Sequence, residues 1–171
     1  VVLTNGDVDA IAGLLHLREG TPLALYAHAR VLEVLDANPI FEVLDRKIVT
    51  RRAIEAGERV RLVDAAGADL GLAVRPFLAP GKLPLYLEGR AEGALDTAAL
   101  AGDTLGLEIE AGGARLAYLA NCARLTDDVI ERLAGADLLF LDGTLWQDDE
   151  MIVQGVGRKT GARMGHISMS G

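Results

Sequence analysis

The stretch Leu3-Thr4-Asn5-Gly6-Asp7-Val8-Asp9-Ala10-Ile11-Ala12-Gly13-Leu14-Leu15 carries the first decision about the fold. Val1 to Thr4 reads as a short buried strand, Asn5 to Asp9 as an acidic loop, and about Ala10 to Arg18 as a helix with Ile11, Leu14, Leu15 and Arg18 at helical spacing. A buried strand that hands its chain through a polar loop to a helix is the unit of α/β architecture. Asp7 and Asp9 stand two apart, so in extended backbone both carboxylates would point the same way. Two such charges repel unless a cation lies between them, and hard oxygen donors suit Mg, Mn or Fe(II). The competing reading is that one aspartate caps the helix and the other is solvated.

Outward from this loop the chain alternates apolar runs with turn chemistry. Leu23 to Tyr26 reads as a strand and Ala29 to Leu35 as a helix, broken at Asn38-Pro39. Strands follow at Arg59 to Val63, Leu70 to Phe77 and Leu83 to Glu88. Leu105 to Glu110 and Ala114 to Ala120 pair across Ala111-Gly112-Gly113 as a hairpin. Thr126 caps a helix through Leu133, with Asp127 and Asp128 at its positive end. Ala136 to Leu141 is apolar throughout and predicts a buried strand ending in Asp142. Arg90 to Asp103 has no firm period. The order defines one α/β (α+β) domain over 1–171, expected to be the interior of a longer chain.

Composition narrows the function. The 171 residues carry 17 Lys plus Arg against 25 Asp plus Glu, a formal net charge of −8, which argues against a general nucleic-acid binder. No run approaches the ~18 apolar residues of a membrane span. One cysteine, Cys122, excludes an intrachain disulfide and suits a reducing compartment, hence a cytoplasmic expectation.

Three further places invite chemistry. His166 lies among Gly165, Ser168, Ser170 and Gly171, small residues that let a ligand approach, and an imidazole there can bind metal or act as a general acid. Asp142 ends an apolar strand, where open α/β sheets place their sites, although a turn before Gly143 explains it equally well. Trp146 and Met151 wall a pocket or join the core. Gly155 to Gly161 fails the phosphate-loop pattern because Arg158 separates Gly157 from Lys159. His16 and His28 read as structural or exposed, and Cys122 as a buried inert thiol.

Taken together, these segments resemble the metallo-β-lactamase superfamily. Its metal loop, H-x-H-x-D-H-x-x-G, is matched by Asp9 and Gly13, with Asn5, Asp7 and Ala10 in place of its three histidines. With Asn38-Pro39-Ile40-Phe41, Asp142-Gly143-Thr144-Leu145-Trp146 and Met164-Gly165-His166-Ile167-Ser168-Met169-Ser170-Gly171, the loop is similar to that of the pyrroloquinoline quinone (PQQ) biosynthesis B family, near the ribonuclease Z branch. The resemblance implies an αββα sandwich, incomplete here at both ends. It implies metal ligands Asp7, Asp9, Asp142 and His166, with His166 and Asp142 catalytic, and Asn121 near the superfamily's bridging aspartate. Fe(II) would serve the active site, and a structural Zn would belong to a segment absent from this chain. The implied reaction is iron- and oxygen-dependent hydroxylation of the tyrosine ring of a cross-linked Glu-Tyr intermediate. The alternatives are a soluble carrier of the quinone or its precursor toward the periplasm, and a metal-dependent hydrolase, which needs a histidine-rich zinc site. The expected partner is a small-molecule quinone precursor, with no nucleic acid, no membrane insertion and homo-oligomerisation left open.

Overall fold

The computed structural model describes residues 1–82 and 102–170. Two sheets form. In the smaller, β1 (Leu23–Ala27) and β2 (Val49–Ala53) pair in parallel. In the larger, β3 (Val60–Val63), β4 (Asp69–Leu78), β5 (Leu105–Ala111), β6 (Ala114–Leu119) and β7 (Leu138–Leu141) lie side by side in sequence order. The first four are antiparallel, with short connections joining β3 to β4 and β5 to β6, while β7 returns parallel to β6 through a helical crossover.

Among the described residues the α-helices are α1 (Val8–Ile11), α2 (Ala29–Asp36), α3 (Asp127–Leu133), α4 (Glu150–Val153) and α5 (Gly161–Met164). Val31, Val34 and Leu35 of α2 pack on Leu25, Ala27 and Val49, the outer face of the small sheet. From the opposite face of β1, Ala24 and Tyr26 meet Leu62 and Val74 of the large sheet. The Tyr26 hydroxyl crosses that join, accepting from Val63 N at 2.9 Å and donating to Val63 O at 3.1 Å. Val129 of α3 packs on Phe77 and Leu119, on the far face of the large sheet. The layers therefore run helix, sheet, sheet, helix, the αββα order expected. Among the described residues no helix is long and apolar enough to cross a membrane.

Several local expectations change. Val1–Thr4 runs beside β1 but contributes only an isolated bridge, Val2 with Tyr26. Its helix starts at Val8 and tightens into a 3-10 segment, Ala12–Leu17, around the glycine at 13. Strand β2 escaped the sequence reading because Arg51 and Arg52 interrupt its apolar run. The Arg51 guanidinium turns back to Asp36 and to the Phe41 carbonyl. The strand expected at Leu83–Glu88 and most of the Arg90–Asp103 segment lie outside the described residues. The largest correction concerns β7. Leu138, Leu139, Phe140 and Leu141, expected to be buried, are 51, 42, 54 and 41% exposed. This strand ends the sheet, and its outer edge has no neighbour among the described strands.

Candidate active site

One end of the large sheet gathers the polar residues, and the topology explains why. Since β6 and β7 are parallel and Leu119 pairs with Leu141, the residues that follow them, Asn121-Cys122 and Asp142, emerge side by side. Strand β4 ends at the same edge, because Leu78 pairs with Leu105 at the start of the antiparallel β5. Lys82 follows it through Pro80-Gly81. The N-terminal loop joins through the bridge of Asn5 with Thr104. Finally, Leu145 bridges Ser168 and brings the His166 loop alongside Asp142.

Asp142 is the centre of this arrangement. It is buried, and its carboxylate accepts from Thr144 Oγ1 at 2.9 Å, Thr144 N at 3.1 Å and Cys122 N at 3.3 Å. The same carboxylate holds His166 Nδ1 at 2.8 Å. Burial alone would push this carboxyl up, but the hydrogen bonds from His166 and Thr144 outweigh it and hold the group below the ordinary aspartate value. An ionised Asp142 needs a donor at Nδ1, which fixes that proton on His166 and leaves Nε2 to meet a substrate or an ion. His166 is half-buried, so that face is reachable. Its position is set by Gly165, which closes α5 at φ +85°, a left-handed conformation suited to glycine.

The acidic loop forms the opposite wall. Buried Asn5 donates from Nδ2 to Asn121 Oδ1 at 2.7 Å and accepts from Asp7 N at 3.0 Å. Asp7 occupies the N-cap position of α1, yet its side chain makes no capping bond. Instead its Oδ1 lies 3.9 Å from Lys82 Nζ. The stem of Lys82 rests on Gly165, where a Cβ would come within 3.1 Å of Lys82 Cγ. Lys82 therefore touches both the acidic loop, at Asp7, and the glycine that precedes His166.

Asp9 differs from its expected place. The backbone turns helical at Val8, so Asp9 sits in the first turn of α1 and is exposed, and the two carboxylates do not share a direction as an extended chain would make them. Ala10, also exposed, borders an apolar cavity of about 370 Å³ walled by Leu62, Val74 and Leu107. Among the described residues no three His, Cys, Asp or Glu side chains are grouped to hold a metal ion. Asp7, Asp9, Asp142 and His166 thus do not by themselves fit a metal centre. Trp146 is 62% exposed and lines no core. His28 caps α2 and approaches Glu55, while Cys122 is buried, its thiol pushed up by burial. Lys82 and the Asn5–Asn121 pair were not foreseen. Pro80-Gly81-Lys82 reads as a mere turn, and an amide pair 116 residues apart leaves no local mark.

The family model of the beta-lactamase superfamily domain matches residues 1–171. The chain belongs to that superfamily. It is 54% identical, over its whole length, to coenzyme PQQ synthesis protein B of Rhodopseudomonas palustris strain BisB5, of which it covers 56%. Among solved structures it is similar to zinc-bound PqqB from Methylobacterium extorquens, with a TM-score of 0.91 and 48% identity, covering 100% of this chain and 54% of that one. The metallo-β-lactamase fold protein YhfI from Bacillus subtilis shares the fold at a TM-score of 0.64 and 14% identity, covering 98% of this chain and 54% of its own. The chain thus spans little more than half the length of the relatives it matches.

Proposed function

We propose that the protein containing this chain takes part in synthesis of coenzyme PQQ. The support is identity along every part of the chain with proteins of that name, combined with a polar site at the sheet end where this fold collects its chemistry. The reaction proposed is iron- and oxygen-dependent hydroxylation of the tyrosine-derived ring of a cross-linked Glu-Tyr intermediate.

The observation that carries the chemical part is the Asp142–His166 pair at 2.8 Å. With Nδ1 committed to Asp142, His166 Nε2 takes the phenolic proton of the ring and returns it after the ring has reacted. Asp142 keeps the imidazole oriented and offsets the charge it gains. Iron, when bound, would activate dioxygen, one oxygen atom entering the ring as a hydroxyl and the other leaving as water with two electrons from an external reductant. With Nε2 of His166 reserved for that proton and Asp142 for the imidazole, Asp7 is the carboxylate of this site that the iron would meet. One observation favours the carrier reading: the charged groups of the site are already matched with one another, Asp7 with Lys82 and Asp142 with His166.

Complementation tests the proposal. In a bacterium lacking its PQQ synthesis protein B, the full-length protein should restore a PQQ-dependent dehydrogenase, whereas His166→Ala and Asp142→Asn should not. Restoration by His166→Ala to the unmutated level would remove the catalytic role of the pair.

A further inference from the structure

We propose that the Asn121 side chain is a binding residue of this site, donating from Nδ2 to a carbonyl oxygen of a quinone-class ring. The inference deepens the reading of a PQQ synthesis protein and rests on it.

Orientation comes first, since an asparagine amide can be turned either way. A chain of hydrogen bonds fixes it. The Asp7 N–H can only donate, so the Asn5 atom it meets at 3.0 Å is Oδ1. The other end of Asn5 is then Nδ2, which can only donate, and the Asn121 atom it meets at 2.7 Å is Oδ1. Asn121 Nδ2, with two N–H donors, is what remains. Turning Asn121 around would set two amide nitrogens against each other. Asn5 is only 3% exposed, so its donor would then go unpaired out of reach of water, which is costly. Among the described residues no acceptor meets Asn121 Nδ2, and Asn121 is half-buried rather than sealed. The donor is open to a ligand.

Its surroundings are those of the site. Asn121 follows β6 where β7 delivers Asp142, and the next residue, Cys122, donates from its N–H to Asp142 Oδ2 at 3.3 Å. That oxygen is the one that holds His166 Nδ1. On the other side Asn5 ties Asn121 to the acidic loop, two residues before Asp7. The amide thus stands between the two walls of the site, with a carboxylate in each. An anionic oxygen arriving there would meet repulsion from both, whereas a neutral carbonyl oxygen accepts the bond without it. A ring carbonyl is therefore favoured over a carboxylate.

The test uses the full-length protein and PQQ itself, with bound quinone read by equilibrium dialysis. Asn121→Asp still accepts from Asn5 but offers no donor, and should bind PQQ about tenfold more weakly, the equivalent of one net hydrogen bond. Asn121→Leu, which adds no charge, should lose as much. Binding by either variant that matches the unmutated protein overturns the proposal. A quinoline dicarboxylate keeps ring carboxylates but has no quinone carbonyl. The unmutated protein should bind it no more tightly than Asn121→Leu does, and a clear advantage there would put a carboxylate on the amide and overturn the carbonyl assignment. No binding of PQQ to the unmutated protein also overturns the proposal, while complementation decides separately whether the protein serves PQQ synthesis. A last measurement needs no variant. With asparagine nitrogen isotopically labelled, the Asn121 side-chain amide resonance should shift when PQQ is added. An unmoved resonance overturns the proposal even if both variants fail to fold.

Discussion

Replacing Asp142 by Asn tests how far this buried carboxylate organises the site. The side chain keeps its size, but one acceptor oxygen becomes a donor. Four donors converge on Asp142: His166 Nδ1, Thr144 Oγ1, Thr144 N and Cys122 N. Its Oδ2 receives His166 and Cys122, and its Oδ1 receives both Thr144 groups. Whichever way the amide is turned, two donors lose their acceptor. Hydrogen bonds to a charged group contribute ~1.5–3 kcal/mol each, and a buried donor left unsatisfied costs ~1–3 kcal/mol. The Thr144 hydroxyl can rotate to recover part of the loss if the amide presents nitrogen on that side. The net expectation is a destabilisation of about 2–4 kcal/mol. Urea unfolding followed by far-ultraviolet circular dichroism measures it, as a lower midpoint at unchanged slope. A stability within about 0.5 kcal/mol of the unmutated chain would refute the reasoning, since that is the range of surface substitutions away from special features.

Further outcomes follow from other parts of the molecule. Tyr26→Phe removes both bonds to Val63 across the two sheets and should cost about 1–3 kcal/mol in the same urea assay, because two net hydrogen bonds are lost and the Val63 N–H and C=O are left half-buried. On acidification, Asp142 is held below its ordinary value, so its stabilisation is fully present above about pH 4 and is lost as pH falls through its folded value. A titration of stability should show that loss in the unmutated chain and a smaller one in Asp142→Asn. Finally, the exposed apolar strand β7 should make the isolated chain self-associate with rising concentration, and Leu139→Lys should reduce the association seen by sedimentation velocity.

The elements that the sequence made legible are those whose signals are local. The alternation from Leu105 to Ala120 broken by Gly112-Gly113 gives the β5–β6 hairpin, and both of these glycines have positive φ. Thr126 caps α3 as read, accepting from Val129 N. The β1–α2 unit follows from its periodicity. Signals that depend on distant partners were not legible. Arg51 and Arg52 disguise β2 because their charges are reconciled outside the strand, Arg51 against Asp36 in α2. The apolar run of β7 correctly indicates a strand but says nothing of whether a covering layer is at hand.

The site divides along the same line. Asp142 and His166 were identifiable from their places after an apolar strand and in a small-residue loop, and the structure brings them into direct contact. Asp7 and Asp9 look equivalent in sequence, yet one residue of helix at Val8 sends Asp9 outward and leaves Asp7 facing Lys82. That separation is a matter of backbone dihedrals, which a two-residue spacing does not determine. Lys82 joins the site only because β4 and β5 pair in the register that sets Leu78 opposite Leu105.

Oxygen uptake by the full-length protein, supplied with Fe(II) and the cross-linked Glu-Tyr intermediate, tests the central claim most directly. The account predicts uptake in step with appearance of a hydroxylated ring, and its loss in His166→Ala. No uptake on the intermediate, together with tight binding of the finished quinone, would contradict it and establish a carrier.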